Sequence, residues 1–267
     1  MNPWPHRTLA SVPPSYVAEE LALEVRRAVF ECEDPSSVRC DLRMVCAAGG
    51  FSVGVVTISG KGKKHEALLV PKPDGRFQIL VDPLTDRPMK ERTRRHRMRF
   101  RIAHEIAHSF FYDRRHIPAQ RDFHGSQKEE IFCDEFASAL LVPRPAVKVL
   151  PLIPSCVFKL RTTFDVSAQV AGRALARTYP DASVIGMLHG VNPSTGRDPE
   201  WRVKWSAGPR FIPENARLHS ETVTLAAESG EAGLIEKLKV GEAIGRFSVE
   251  AALNRGEGQM IVILLPA

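Results

Sequence analysis

The chain has no run of apolar residues long enough to cross a bilayer, which takes about 20. Its opening residues, Met1-Asn2-Pro3-Trp4-Pro5-His6-Arg7, lack the charged-then-apolar order of a secretion signal. Membrane anchoring and export are therefore not expected, and the protein is assigned to the cytosol. Cysteine is scarce and scattered. There are five, Cys32, Cys40, Cys46, Cys133 and Cys156, an odd number with no C-x-x-C pair. That pattern excludes a thiolate zinc cluster and a disulfide framework, and leaves reduced thiols. Neither a P-loop nor a G-x-G-x-x-G occurs, so the usual phosphate-cradling loops are missing. No internal repeat or low-complexity segment is present. What remains is an ordinary globular composition, 43% hydrophobic and 25% charged over 267 residues, enough for one large or two small domains.

Against that background one segment stands out, Arg101-Ile102-Ala103-His104-Glu105-Ile106-Ala107-His108. Residues four apart share a face of an α-helix, about 6 Å along its axis. His104 and His108 can therefore converge on one ion. Glu105 lies roughly 100° round the helix. It flanks that ion, where a carboxylate can take a proton from an activated water and pass it to a leaving amine. Phe100, Ala103, Ala107, Phe110 and Phe111 form the apolar face, widened by Ile102 and Ile106. The polar strip opposite is narrow, which fits a cleft better than open solvent.

With nine histidines in the chain, an H-E-x-x-H alone is only moderately specific. A second segment strengthens it. Gln127 to Leu141 reads as a helix with Phe132, Cys133, Phe136 and Leu140 on its apolar face and Glu130, Asp134 and Ala137 on another. Glu130 can be a third ligand and leave a fourth position open, as catalytic zinc requires. Asp134 can accept a hydrogen bond from the far ring nitrogen of a ligand histidine. Zinc is the default metal for two histidines and a carboxylate, with manganese (Mn2+) an alternative.

Phe100 through His108, followed by Glu130-x-x-Cys133-Asp134-x-Phe136-Ala137-x-x-Leu140-Leu141-x-Pro143, resembles the ImmA/IrrE metallopeptidases, bacterial proteins of the gluzincin type. The resemblance matches His104, His108 and Glu130 to metal ligands and Glu105 to the catalytic base. That family usually has Asn where this chain has Asp134, and often Ala in place of Cys133. Asp134 instead follows the wider gluzincin pattern. The resemblance is specific between about residues 95 and 145 and weak beyond 180. It implies a protease whose partner is a transcriptional repressor or antitoxin-like regulator, in some members within a stress response.

The expected fold class is α+β: a zincin-like peptidase core, made of a small sheet, the H-E-x-x-H helix and a second ligand helix, then a helix-turn-helix-like segment and a small C-terminal α/β domain. Residues 1–15 read as an extended arm, 16–150 as the peptidase domain, 151–180 as the helix-turn-helix-like segment, and 181–267 as the α/β domain, sensor-like in type. Within the core, helices are expected over 16–31 and 37–48, and strands over Phe51–Ser59, His65–Val70 and Arg76–Val81. Beyond 181, strands are expected at Ser183–Leu188, Trp201–Trp205 and Met260–Leu265, and a short helix at Glu231–Leu238.

The net charge of +6 is uneven. Much of it lies in Lys90, Arg92, Arg94, Arg95, Arg97, Arg99 and Arg101. Two readings apply: a solvated loop approaching the metal helix, or a landing strip for an acidic segment or DNA. Tyr112, His116 and His124 are candidates for holding the oxyanion or the substrate. Gln169, Arg173 and Arg177 line one side of the expected second helix of the helix-turn-helix. They suit base readout or plain packing. Two functions follow: a metal-dependent endopeptidase using Glu105 as base, or a DNA-binding or scaffold regulator that retains the metal site without using it.

Overall fold

A computed structural model describes residues 4–5, 8–30, 34, 36–58, 66–83, 88–121, 125–190, 200–210, 212–240 and 243–267. The architecture is α+β and divides into two compact units. One comprises Met1–Ala146 with Phe164–Ser167, the other Val147–Thr163 with Ala168–Ala267.

In the first unit, helix α1 (Ser15–Val29) buries Ala18, Leu21, Ala22, Val25 and Val29 along one stripe. Helix α2 (Leu42–Gly49) starts at Asp41, whose side chain accepts from the Arg43 amide, and ends at Gly50 with φ 72°. Only glycine adopts that left-handed value freely. A three-stranded sheet follows: β1 (Phe51–Val55), β2 (Ala67–Pro71) and β3 (Phe77–Val81), in the order β1-β3-β2. β1 runs parallel to β3, and β2 antiparallel. Alternation along β3 buries Phe77, Ile79 and Val81. β2 is left as an edge. The turn between β2 and β3 runs over Lys72–Gly75, with Gly75 at φ 78°. Residues 59–65, between the first two expected strands, lie outside the described residues.

Helix α3 (Glu91–His108) carries the metal-binding motif and runs into a 3-10 turn, Ser109–Phe111. The basic run is therefore not an approach loop: Arg92 to Arg101 all lie within α3. Nor is it a free strip. Arg97 forks onto Glu66 at 2.6 and 2.8 Å, Arg95 onto Asp165 at 2.8 and 3.2 Å, and Arg99 donates to the Cys40 carbonyl at 3.1 Å. These partners lie up to 70 residues away in the chain, and the two carboxylates among them offset the mutual repulsion of neighbouring arginines. Helix α4 (Gln127–Leu141) starts at Ser126, whose hydroxyl accepts from the Glu129 amide at 3.3 Å. Its apolar face meets the end of α3 through Phe110–Phe136 and Phe111–Phe132, each pair 5.5 Å between centroids. Trp4 stacks on Phe110. Buried Arg26 of α1 donates to the Leu140 carbonyl at 2.6 Å, which ties α1 to the end of α4.

After a short helix α5 (Arg144–Lys148), helices α6 (Pro154–Phe164) and α7 (Ala168–Thr178) form the helix-turn-helix-like pair. In their turn Asp165 takes φ 51°, the left-handed region. It accepts from Arg39, Arg95 and His96. Along α7 only Gln169, Arg173 and Arg177 are partly exposed, and the rest of the helix is buried.

The second unit contains a five-stranded antiparallel sheet in the order β5-β4-β8-β7-β6, from β4 (Ser183–Gly190), β5 (Glu200–Ala207), β6 (Glu231–Val240), β7 (Ala243–Asn254) and β8 (Gln259–Pro266). Trp205 of β5 covers two glycines. A Cβ on Gly186 would sit 2.2 Å from its indole, and one on Gly172 of α7 2.5 Å. Helix α8 (Glu221–Ser229) precedes β6. The helix expected at Glu231–Leu238 is instead β6. Its apolar spacing suits a helix, but Gly230 at φ 107° ends α8, and ten register pairs with β7 then fix an extended chain. α8 and β7 escaped the sequence reading. The start of α8 is closed by Glu236 of β6, which accepts from Ser220 Oγ and from the Glu221 and Thr222 amides at 2.9–3.0 Å. No described helix is long and apolar enough to cross a membrane.

Candidate active site

Ala103, Ile106 and Ala107 are fully buried, so the face of α3 opposite them is turned to a cleft of about 310 Å3. The cleft is lined by His104, Glu105 and His108 from α3, Glu130 from α4, Glu66 to Leu69 at β2, and Arg101, Tyr112 and Arg121. The ring Nε2 atoms of His104 and His108 face each other at 3.1 Å. The Glu130 carboxylate reaches both, 3.2 Å from His104 Nε2 and 3.5 Å from His108 Nε2.

The outer ring nitrogens fix which protons are where. His104 Nδ1 donates to Asp134 at 2.9 Å, and His108 Nδ1 donates to Glu129 at 2.5 Å. With hydrogen on both Nδ1 atoms, both Nε2 atoms present lone pairs. Two lone pairs and a carboxylate thus converge with no donor between them, an arrangement that calls for a cation. The spacing fits as well. Four ligands at ~2.0–2.1 Å around zinc lie about 3.3 Å apart, against 3.1, 3.2 and 3.5 Å here.

Cys133 adds a second possible donor. His104, His108 and Cys133 offer ligand atoms all within 4.8 Å of one another, so the group can chelate a metal. Cys133 is fully buried, and burial pushes its thiol far above the usual range, reinforced by Glu129, Glu130, Glu105 and Asp134. A neutral thiol is a poor ligand, whereas the Glu130 carboxylate stands 3.2 and 3.5 Å from the two Nε2 atoms. Cys40, Cys46 and Cys156 are likewise buried and free.

Glu105 is 7% exposed. Burial raises its pKa, and the neighbouring His108 and His104 only partly offset this. A carboxylate raised in this way is a better proton acceptor near neutral pH. His108 is also raised: burial opposes the charged ring, but the Glu129 hydrogen bond and the Glu105 and Glu130 charges outweigh it.

Glu129 escaped the sequence reading. It is fully buried, and Arg121 donates to both its oxygens at 2.5 and 2.6 Å. Burial works to raise its pKa, and His108 and Arg121 outweigh this and hold it low. A signal was present. Glu129 falls three and four residues before Phe132 and Cys133, on the apolar face of α4, where a carboxylate must find partners.

The other candidates divide. Tyr112 lines the cleft, its ring edge-on to Phe77, with the Arg121 guanidinium 5.1 Å from its centroid. His116 does not line the cleft. It is half-exposed and stands 3.7 Å from Asp113. His124 lies outside the described residues.

Residues 89–176 match the family model Peptidase_M78, the IrrE N-terminal-like domain. The resemblance to the ImmA/IrrE metallopeptidases is borne out over that third of the chain, and with it a protease-type catalytic arrangement. No curated protein matches the chain. A solved structure described as a Mycobacterium tuberculosis transcriptional regulator is similar at 11% identity, covering 94% of this chain and 75% of that one, with a TM-score of 0.44. So loose a likeness says nothing of function.

Proposed function

We propose that this chain is a metal-dependent endopeptidase that cuts a regulatory protein in the cytosol, with His104, His108 and Glu130 as ligands and Glu105 as general base. The observation that carries this reading is the convergence of three electron-pair donors beside a buried carboxylate. A zinc ion bound by these three residues would supply Lewis acidity for the substrate carbonyl and would lower the pKa of a water toward neutrality. Glu105 accepts the proton from the attacking water and hands it to the departing amine. Asp134 and Glu129 keep the two imidazoles in one tautomer and orientation. Tyr112 lines the cleft and is the candidate to hydrogen-bond the tetrahedral oxyanion.

That the target is a repressor or antitoxin-like regulator rests on the family resemblance. The DNA-reading alternative loses ground, because a recognition helix must present a face to the groove, and α7 is buried except for one narrow strip.

The test is Glu105→Gln. Elemental analysis should find one metal ion per chain in both proteins. Mass spectrometry of cells expressing each should find a cleaved regulator only with the unaltered chain. A biological effect that survives the substitution would sink the peptidase reading.

A further inference from the structure

The cleft holds two arginines, at opposite ends of the histidine pair. Arg121, beyond His108, is bound to both oxygens of Glu129. Arg101 is differently placed. It lies one helical turn before Glu105, about 6 Å along α3, and it lines the same cleft as Ala67, Leu68 and Leu69 of edge strand β2. Among the described residues it bonds to Glu66, reached through Nε at 3.3 Å. Both Glu66 oxygens already receive shorter bonds from Arg97, at 2.6 and 2.8 Å. One negative charge therefore serves two positive ones. Among the described residues, the terminal nitrogens of Arg101 donate to no other group, and its side chain is 35% exposed.

Arg95, Arg97 and Arg99 are engaged in holding α3 to the rest of the first unit. Arg101 is the member of the run that faces the cleft with donors to spare. A guanidinium offers a planar fork that matches a carboxylate bidentately. A half-exposed cleft wall strengthens such a pair relative to open solvent.

We infer that Arg101 selects substrates: a peptide segment adding to edge strand β2 by backbone pairing brings an Asp or Glu side chain against its guanidinium, next to the bond to be cut. The assignment rests on the peptidase reading for the position of the peptide. What it adds is the chemical class of the segment: one carrying an acidic residue within a few positions of the scissile bond. Glu66 and Arg97 act as positioning residues, holding the Arg101 stem while leaving its terminal nitrogens to the ligand.

The test uses zinc-loaded full-length Glu105→Gln protein and fluorescein-labelled octapeptides of alanine and serine, with one Asp, Asn or Lys at each position in turn. Binding is read by anisotropy. At one position the Asp peptide should bind roughly tenfold more tightly than its Asn counterpart. Adding Arg101→Lys should keep that preference, Arg101→Ala should abolish it, and Arg101→Glu should turn it toward the Lys peptide. Circular dichroism checks that each variant is folded. Equal binding of Asp and Asn peptides at every position overturns the inference, as does an Asp preference that survives Arg101→Ala. The same peptides incubated with the unaltered chain separate the two readings. If none is cut while the Arg101-dependent preference holds, the peptidase proposal fails and the acidic-side-chain site stands.

Discussion

At the scale of single residues, the site depends on pairs of which only some members are visible in a sequence. His104, Glu105 and His108 announce themselves, because helical spacing alone places them together. Glu130 and Asp134 follow from the same rule on the second helix. Glu129 does not, since beside Glu130 it looks like one more solvated acid, and only its register with Phe132 and Cys133 shows that it points inward. Glu66 was beyond reach, because its arginine partners lie 31 and 35 residues away. Substitutions can rank these groups. Glu129→Gln leaves a buried amide facing Arg121 and weakens the hold on His108. Metal affinity, measured by competition with a chelator, should fall by about 10–100-fold. Cys133→Ala should leave that affinity within about twofold if Glu130 is the third ligand, since a small buried thiol then contributes packing only. A loss after Cys133→Ala as large as that after Glu130→Ala would make the thiol a ligand instead.

Elements add constraints that no single residue displays. Asp165 gathers Arg39, Arg95 and His96 at a turn with left-handed backbone. Burial works to raise the pKa of its carboxylate, but the bonds from Arg95 and His96 and the charge of Arg39 hold it well below the ordinary range. A carboxylate depressed in the folded state stabilises the protein above its unfolded pKa of about 3.9. That contribution disappears as pH falls through the lower folded value. Asp165→Asn keeps a residue that tolerates the backbone and removes the charge. It should lower stability by roughly 2–3 kcal/mol at pH 7. The gap to the unaltered protein should close as pH is taken from about 5 down toward 2, followed by urea unfolding. A constant gap across that range would assign the effect to something other than charge. In the second unit, Gly186→Ala drives a methyl group into Trp205. It should destabilise by about 1–3 kcal/mol or more in the same assay. Here the sequence was partly misleading. The apolar spacing of Glu231–Leu238 suits a helix, and β6 forms because ten residues of β7 pair with it. Helical preference yields here to pairing with the next strand in the chain.

For the whole molecule, the metalloprotease-like half was legible; of the C-terminal sheet, strands β4, β5 and β8 were legible, while β6, β7 and the strand order were not. The first half is built around two helices whose chemistry and periodicity coincide, and the family match over residues 89–176 contains both. The sheet of the second unit carries no chemical motif. Its order, β5-β4-β8-β7-β6, depends on contacts between distant segments that alternation alone cannot rank.

The facing imidazoles of His104 and His108 have one more consequence. Without a cation, the cheapest occupant of the gap between their lone pairs is a hydrogen ion, in line with the raised affinity of His108 for one. Loading zinc into the empty protein is then an exchange, and the displaced hydrogen ion leaves for solvent. In weak buffer, a colorimetric indicator should register acid liberated as zinc is added. The apparent zinc affinity should fall with acidification. An uptake that leaves the indicator unmoved would mean that both rings were already neutral before the ion arrived.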